Sequence, residues 1–100
     1  MPISYATLGS PDSEPLVFIH GLGAGAKQTT SALTTLPGRY LIAPNMPGHG
    51  DSPDIDPSQF SFDFFADKVI EIMDHLGIEQ SDLGGLSMGS GISLNIALRY

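Results

Sequence analysis

The sequence predicts an α/β fold built on a mostly parallel sheet flanked by helices. Short apolar runs alternate with helix-like stretches along the chain. The run Leu16-Val17-Phe18-Ile19 is unbroken over strand length, the pattern of a strand covered on both faces. Loops rich in glycine and proline follow the strands, at the end of a parallel sheet where ligands gather.

Each element has its own local reason. Ile3–Leu8 reads as a short strand, and 9–15 (GSPDSEP) as a turn by composition. Leu16–Ile19 is the second strand and ends at His20. Gly21–Ala26 is a glycine and alanine loop, and Lys27–Leu36 is expected to be a short helix despite poor propensity, stopped by Pro37-Gly38. Arg39–Ala43 is the next strand. Pro44–Pro57 is a long proline- and glycine-rich loop, of a length that usually serves function.

Phe60–Leu76 is the strongest helix. Phe62, Phe65, Val69, Met73 and Leu76 share one face at spacings of three and four. Ser61 suits the N-cap, Asp63 the first turn and Gly77 the C′ position. Asp63, Asp67, Lys68, Glu71 and Asp74 lie mostly on the other face and are read as solvated, and His75 as surface. Ser81–Gly85 is a weak strand, since only Leu83 is strongly apolar. Ile92–Tyr100 alternates like a strand, but Ile92, Ile96 and Tyr100 also fit a helix, which the preceding segment demands.

That segment, Gly85-Leu86-Ser87-Met88-Gly89, reads G-x-S-x-G. Such spacing holds a serine on a sharp strand-to-helix turn with its hydroxyl clear of the backbone. Side chains two residues to either side would crowd the turn, and glycine removes them. The helix start turns the Met88 N–H toward the same spot, as a donor to a developing oxyanion. Alone the pattern is common in a chain with 12 glycines. Its weight comes from company.

Three motifs in order resemble the α/β-hydrolase family, over nearly the whole chain. His20-Gly21-Leu22-Gly23 is similar to the family's H-G-x loop, Pro47-Gly48-His49-Gly50-Asp51-Ser52 to its P-G-H-G-x-S loop, and Gly85–Gly89 to its nucleophile elbow. The resemblance implies a partial α/β-hydrolase fold. It implies a serine hydrolase acting on an ester or related acyl bond of a small molecule, with Ser87 as nucleophile and an acyl-enzyme intermediate. The Leu22 and Met88 N–H groups would form the oxyanion hole, His20 would orient its loop, and His49 would be a loop histidine rather than a base. The small Ser90 replaces a frequent glycine. No His, Asp or Glu follows Ser87, although the family places its acid and histidine after the serine. Residues 1–100 are therefore expected to be the N-terminal part of a single domain, truncated after the helix that follows the elbow.

Bulk properties narrow the partners. Net charge is −7 and the pI about 4.4, which disfavours nucleic acid and anionic membrane. With no cysteine there is neither a disulfide framework nor a thiolate metal site, and no cofactor is expected. No secretory signal or membrane-length apolar run is visible, so a cytoplasmic location is expected. One rival is a dinucleotide-binding module, because Gly21–Ala26 reads G-x-G-x-x-A after an apolar strand. The next strand, however, ends Ala43-Pro44-Asn45 without the ribose-binding acid. A second rival is a non-catalytic scaffold of the same fold.

Overall fold

The computed structural model describes residues 3–33, 38–54 and 56–100. Its elements are β1 (Tyr5–Leu8), β2 (Glu14–Ile19), α1 (Ala26–Ala32), β3 (Arg39–Pro44), a 3-10 turn (Pro57–Gln59), α2 (Phe62–Leu76), β4 (Asp82–Gly85) and α3 (Met88–Arg99). The sheet order is β1-β3-β2-β4. Strand β2 runs parallel to both β3 and β4, and β1 alone is antiparallel, beside β3. The α/β class and mostly parallel sheet are thus as the sequence predicts.

Several boundaries differ. Ile3 is buried in the core but precedes β1. Strand β2 begins at Glu14, inside the expected turn, because Glu14 and Pro15 pair in register with Arg39 and Tyr40. Helix α1 spans only Ala26–Ala32, and residues 34–37 of the expected helix and stop lie outside the described residues. Two-sided burial is found in β3, where Tyr40 through Pro44 are all buried, and not in β2. There Val17 and Ile19 face the core while Leu16 and Phe18 are half-buried.

Strand β4 looks poor in sequence for a reason visible in its register. Gly84 pairs with Phe18, and a Cβ at Gly84 would sit 2.8 Å from the Phe18 ring. A Cβ at Gly85 would overlap the backbone of Gly89 and lie 2.6 Å from the Ser90 nitrogen. The two glycines give up β propensity so that a neighbouring ring and the next helix can approach. Ser90 and Ser93 then donate to the carbonyls of Gly85 and Gly84, at 2.9 and 3.0 Å.

Helix α2 is capped at both ends as expected. The Ser61 hydroxyl accepts the Phe64 N–H at 3.0 Å, and Gly77 takes a left-handed φ of 70°. Its buried stripe is rotated from the expected one: Phe65, Ala66, Val69, Ile72 and Met73 are buried, while Phe62 is exposed. The helix packs along α3, and its buried side chains share one core with strand residues Val17, Ile19 and Ile42, so two facing surfaces widen the stripe. Nor is its acidic side merely solvated. Asp63 and Asp67 receive Arg99, Asn95 and Tyr100 of the α3 end, with Tyr100 Oη donating to Asp67 at 2.6 Å and Arg99 at 3.0 Å. One core joins Val17, Ile19, Ile42, Met46, Phe65, Val69, Ile92 and Ile96 between sheet, α2 and α3.

Candidate active site

Ser87 stands between β4 and α3 with φ 56° and ψ −113°. Among the described residues it is the only non-glycine residue at positive φ. Holding such a backbone costs about 1–3 kcal/mol, and the surroundings here fix it firmly. The Leu86 N–H donates to the Ile19 carbonyl at 3.2 Å, while the N–H groups of Gly89 and Ser90 return to the carbonyls of Leu86 and Ser87, both at 3.0 Å. Gly89 rests against the end of β2: a Cβ there would overlap the Ile19 carbonyl. Ser87 itself is exposed.

The β2 exit lies beside this corner. A Cβ on Gly21 would be 3.5 Å from Ser87 Cβ and 3.2 Å from the Leu86 oxygen. Among the described residues no acceptor takes the N–H of Leu22 or of Met88. Leu22 and Leu86 are 73% and 65% exposed, so the rim around Ser87 is apolar.

His20 is buried, 1% exposed, with both ring nitrogens engaged. Its Nε2 accepts the Met46 N–H at 3.0 Å, which leaves Nδ1–H to donate to the Gly21 carbonyl at 2.7 Å. Burial holds its pKa below the ordinary histidine value, against the opposing pull of the Gly21 carbonyl and with a smaller lowering from His49. A neutral ring with no free lone pair cannot serve as a general base. It does fix a peptide plane. The Gly21 carbonyl also accepts the Ala24 N–H at 3.1 Å, and across the planar bond stands the Leu22 N–H.

The β3 exit supplies the support. Asn45, buried, accepts the Ala26 N–H at 2.7 Å through Oδ1 and donates to Ser4 Oγ at 2.9 Å through Nδ2. Ser52 Oγ donates to the Asn45 carbonyl at 2.5 Å and accepts the Ser4 N–H at 2.9 Å. The Asn45 amide is wedged between Gly25 and Gly50: a Cβ on Gly25 would be 2.8 Å from Oδ1, and one on Gly50 would overlap the amide. Gly25 makes room for Asn45, and Asn45 occupies the first helical N–H of α1, the group that a pyrophosphate at this helix start would need. In the sequence Asn45 stands out only as the place where a ribose-binding acid is absent. The signal available was a helix starting without a capping side chain of its own. Among the described residues no cluster of three potential metal ligands occurs, and no helix is long and apolar enough to cross a membrane.

A family model described as alpha/beta hydrolase fold matches residues 14–100. The chain belongs to the α/β-hydrolase family. It is 38% identical over 90 residues to a 2-hydroxymuconate semialdehyde hydrolase of Pseudomonas sp. (strain CF600), covering 86% of this chain and 32% of that protein. It is 33% identical to Lipase 3 of Moraxella sp. (strain TA144), covering 96% of this chain and 31% of that one. Among solved structures it resembles the N-acyl homoserine lactonase AidH, with a TM-score of 0.87 at 32% identity over 98% of this chain and 37% of that one. The chain thus spans about a third of the length of the curated relatives it matches.

Proposed function

We propose that residues 1–100 are the N-terminal part of a serine hydrolase that cleaves an ester or related acyl bond of a small molecule. The observation that carries this reading is the backbone of Ser87, strained at positive φ between a strand and a helix and pressed against the β2 exit. Relatives named lipase, lactonase and semialdehyde hydrolase support the reaction class. The apolar rim of Leu22 and Leu86 suits an uncharged acyl group.

In this reading Ser87 Oγ attacks the carbonyl carbon, and the negative charge that develops on oxygen is received by the N–H groups of Leu22 and Met88. The serine proton passes to a histidine, which hands it to the leaving group as the carbonyl re-forms and the bond to that group breaks. Water then releases the acid from Ser87. That histidine is none of those described: His20 and His49 have both nitrogens bonded, and His75 is exposed at the far end of α2. The acid and base come from chain beyond the segment described, consistent with its coverage of a third of its relatives. The enzyme needs no cofactor or metal in this scheme, and its acidic surface favours neither nucleic acid nor membrane.

The test is labelling of the full-length protein with a fluorophosphonate, followed by mapping of the modified residue. Labelling at Ser87, abolished in Ser87→Ala, is the expected result. Label persisting in that variant, or landing elsewhere, overturns the assignment. A protein that is never labelled and hydrolyses no p-nitrophenyl ester is the non-catalytic scaffold instead.

A further inference from the structure

The loops after β2 and β3 exchange histidines. His20 of the first reaches the Met46 N–H of the second, and His49 of the second reaches back to the first. His49 Nε2 accepts the Gly23 N–H at 3.1 Å, while its Nδ1–H donates to the Pro47 carbonyl at 3.1 Å. The two rings stack at a tilt, with centroids 4.8 Å apart. Leu22 therefore sits between two pinned peptides. His20 holds the carbonyl of the peptide that carries the Leu22 N–H, and His49 holds the N–H of the next one. Gly23 lies at φ 83° with open space where a Cβ would stand, so beyond the Ala24 N–H to Gly21 bond that closes the turn, the His49 bond is what holds the peptide after Leu22 among the described residues.

We propose that His49 is a positioning residue for the oxyanion donor at Leu22, acting through the Gly23 N–H. The proposal rests on the oxyanion-hole reading above. A catalytic base is a different role, and the ring has no lone pair left for it, since Nε2 already accepts from backbone. What the bond supplies is alignment. With it gone, only the Gly21–Ala24 turn bond restrains the peptide after Leu22 and the donor can drift, and a misplacement of about 1 Å can slow a reaction about a hundredfold.

Full-length enzyme carrying His49→Asn, His49→Gln and Ser87→Ala tests this with p-nitrophenyl acetate as probe, kcat and KM being read separately beside the melting temperature. The asparagine amide reproduces Nδ1 and keeps the Pro47 bond but stops short of Gly23. The glutamine amide oxygen reaches the position of Nε2 and keeps the Gly23 bond. Expected are a kcat lowered about tenfold to a hundredfold in His49→Asn with KM within about twofold, and recovery to within about threefold in His49→Gln. The melting temperatures of the two should match. Should the asparagine variant not fold, His49→Leu replaces it in the same comparison. Wild-type kcat in His49→Asn overturns the proposal while leaving Ser87 as nucleophile, provided that Ser87→Ala is inactive. Equal loss in the asparagine and glutamine variants overturns it too, because an acceptor at Nε2 then makes no difference. Turnover surviving in Ser87→Ala removes the nucleophile reading, and this proposal with it.

Discussion

Replacing Gly89 by alanine adds one methyl group where the chain has no room for it. The new Cβ would overlap the Ile19 carbonyl oxygen and lie 2.6 Å from its carbon and 2.8 Å from the His20 oxygen. All three atoms are backbone, and Ile19 is held in register with Gly85. Overpacking of this kind costs about 1–3 kcal/mol, and a rigid neighbour puts the cost at the upper end. Against it stands the helix preference of alanine over glycine, about 1 kcal/mol at most. The net loss is about 2 kcal/mol. Gly91→Ala, two residues on, is the control. Its Cβ would meet the ring of Phe62, but that ring is exposed and can swing away for about 0.5–1.5 kcal/mol. Here cost and gain nearly cancel. Urea unfolding of both variants should therefore separate them by about 2 kcal/mol, with Gly91→Ala within about 0.5 kcal/mol of wild type. Near-wild-type stability of Gly89→Ala would refute the claim that α3 is seated directly on the β2 exit. The same variant should label poorly with fluorophosphonate, because relief of the overlap moves Ser87.

Asn45→Ala strips the buried Ala26 N–H of its acceptor, and the Ser4 hydroxyl of one of its two partners, and should lower unfolding free energy by about 1–3 kcal/mol in urea. Ser61→Ala should cost about 1 kcal/mol, read as a reduced midpoint at unchanged slope, through loss of the cap on Phe64. Stability should also rise with pH just below 6.5. The His20 pKa is lowered by folding, so the unfolded chain binds the extra proton there, and the stabilisation is complete above 6.5 and fades as pH falls toward the folded value. His20→Gln should flatten that slope in pH-dependent melting. Arg99→Ala should change stability by no more than about 1 kcal/mol, since its pairs with Asp63 and Asp67 are largely solvent-exposed.

What was legible in the sequence was what local chemistry decides. Ser61 and Gly77 cap α2 where they were expected to, and Gly85 and Gly89 stand where a side chain would crowd the chain. The helix after Ser87 was readable only through the G-x-S-x-G spacing before it, because Leu94 and Leu98 remain exposed and give the segment no one-sided stripe. What was not legible depends on pairs distant in the chain. Gly84 is explained by Phe18, Gly25 by Asn45, and the acids of α2 by Arg99 and Tyr100. The two-sided burial expected of β2 falls on β3, since apolarity of a run says what can be covered and not what lies above it. Of the site, the motif residues were readable, whereas the engagement of both nitrogens of His20 and His49 was not.

Strand β2 lies between β3 and β4 although β4 is synthesised last of the four. Ile19 and Gly85, register partners, are separated by the whole of β3 and α2. Until that late pairing closes, β2 presents an open edge of unpaired N–H and carbonyl groups to any passing strand. The corner at Ser87 cannot form before the seam does. A nascent chain that stalls ahead of Gly85 is thus prone to sticking, and contacts of such long sequence separation make the wait a slow one.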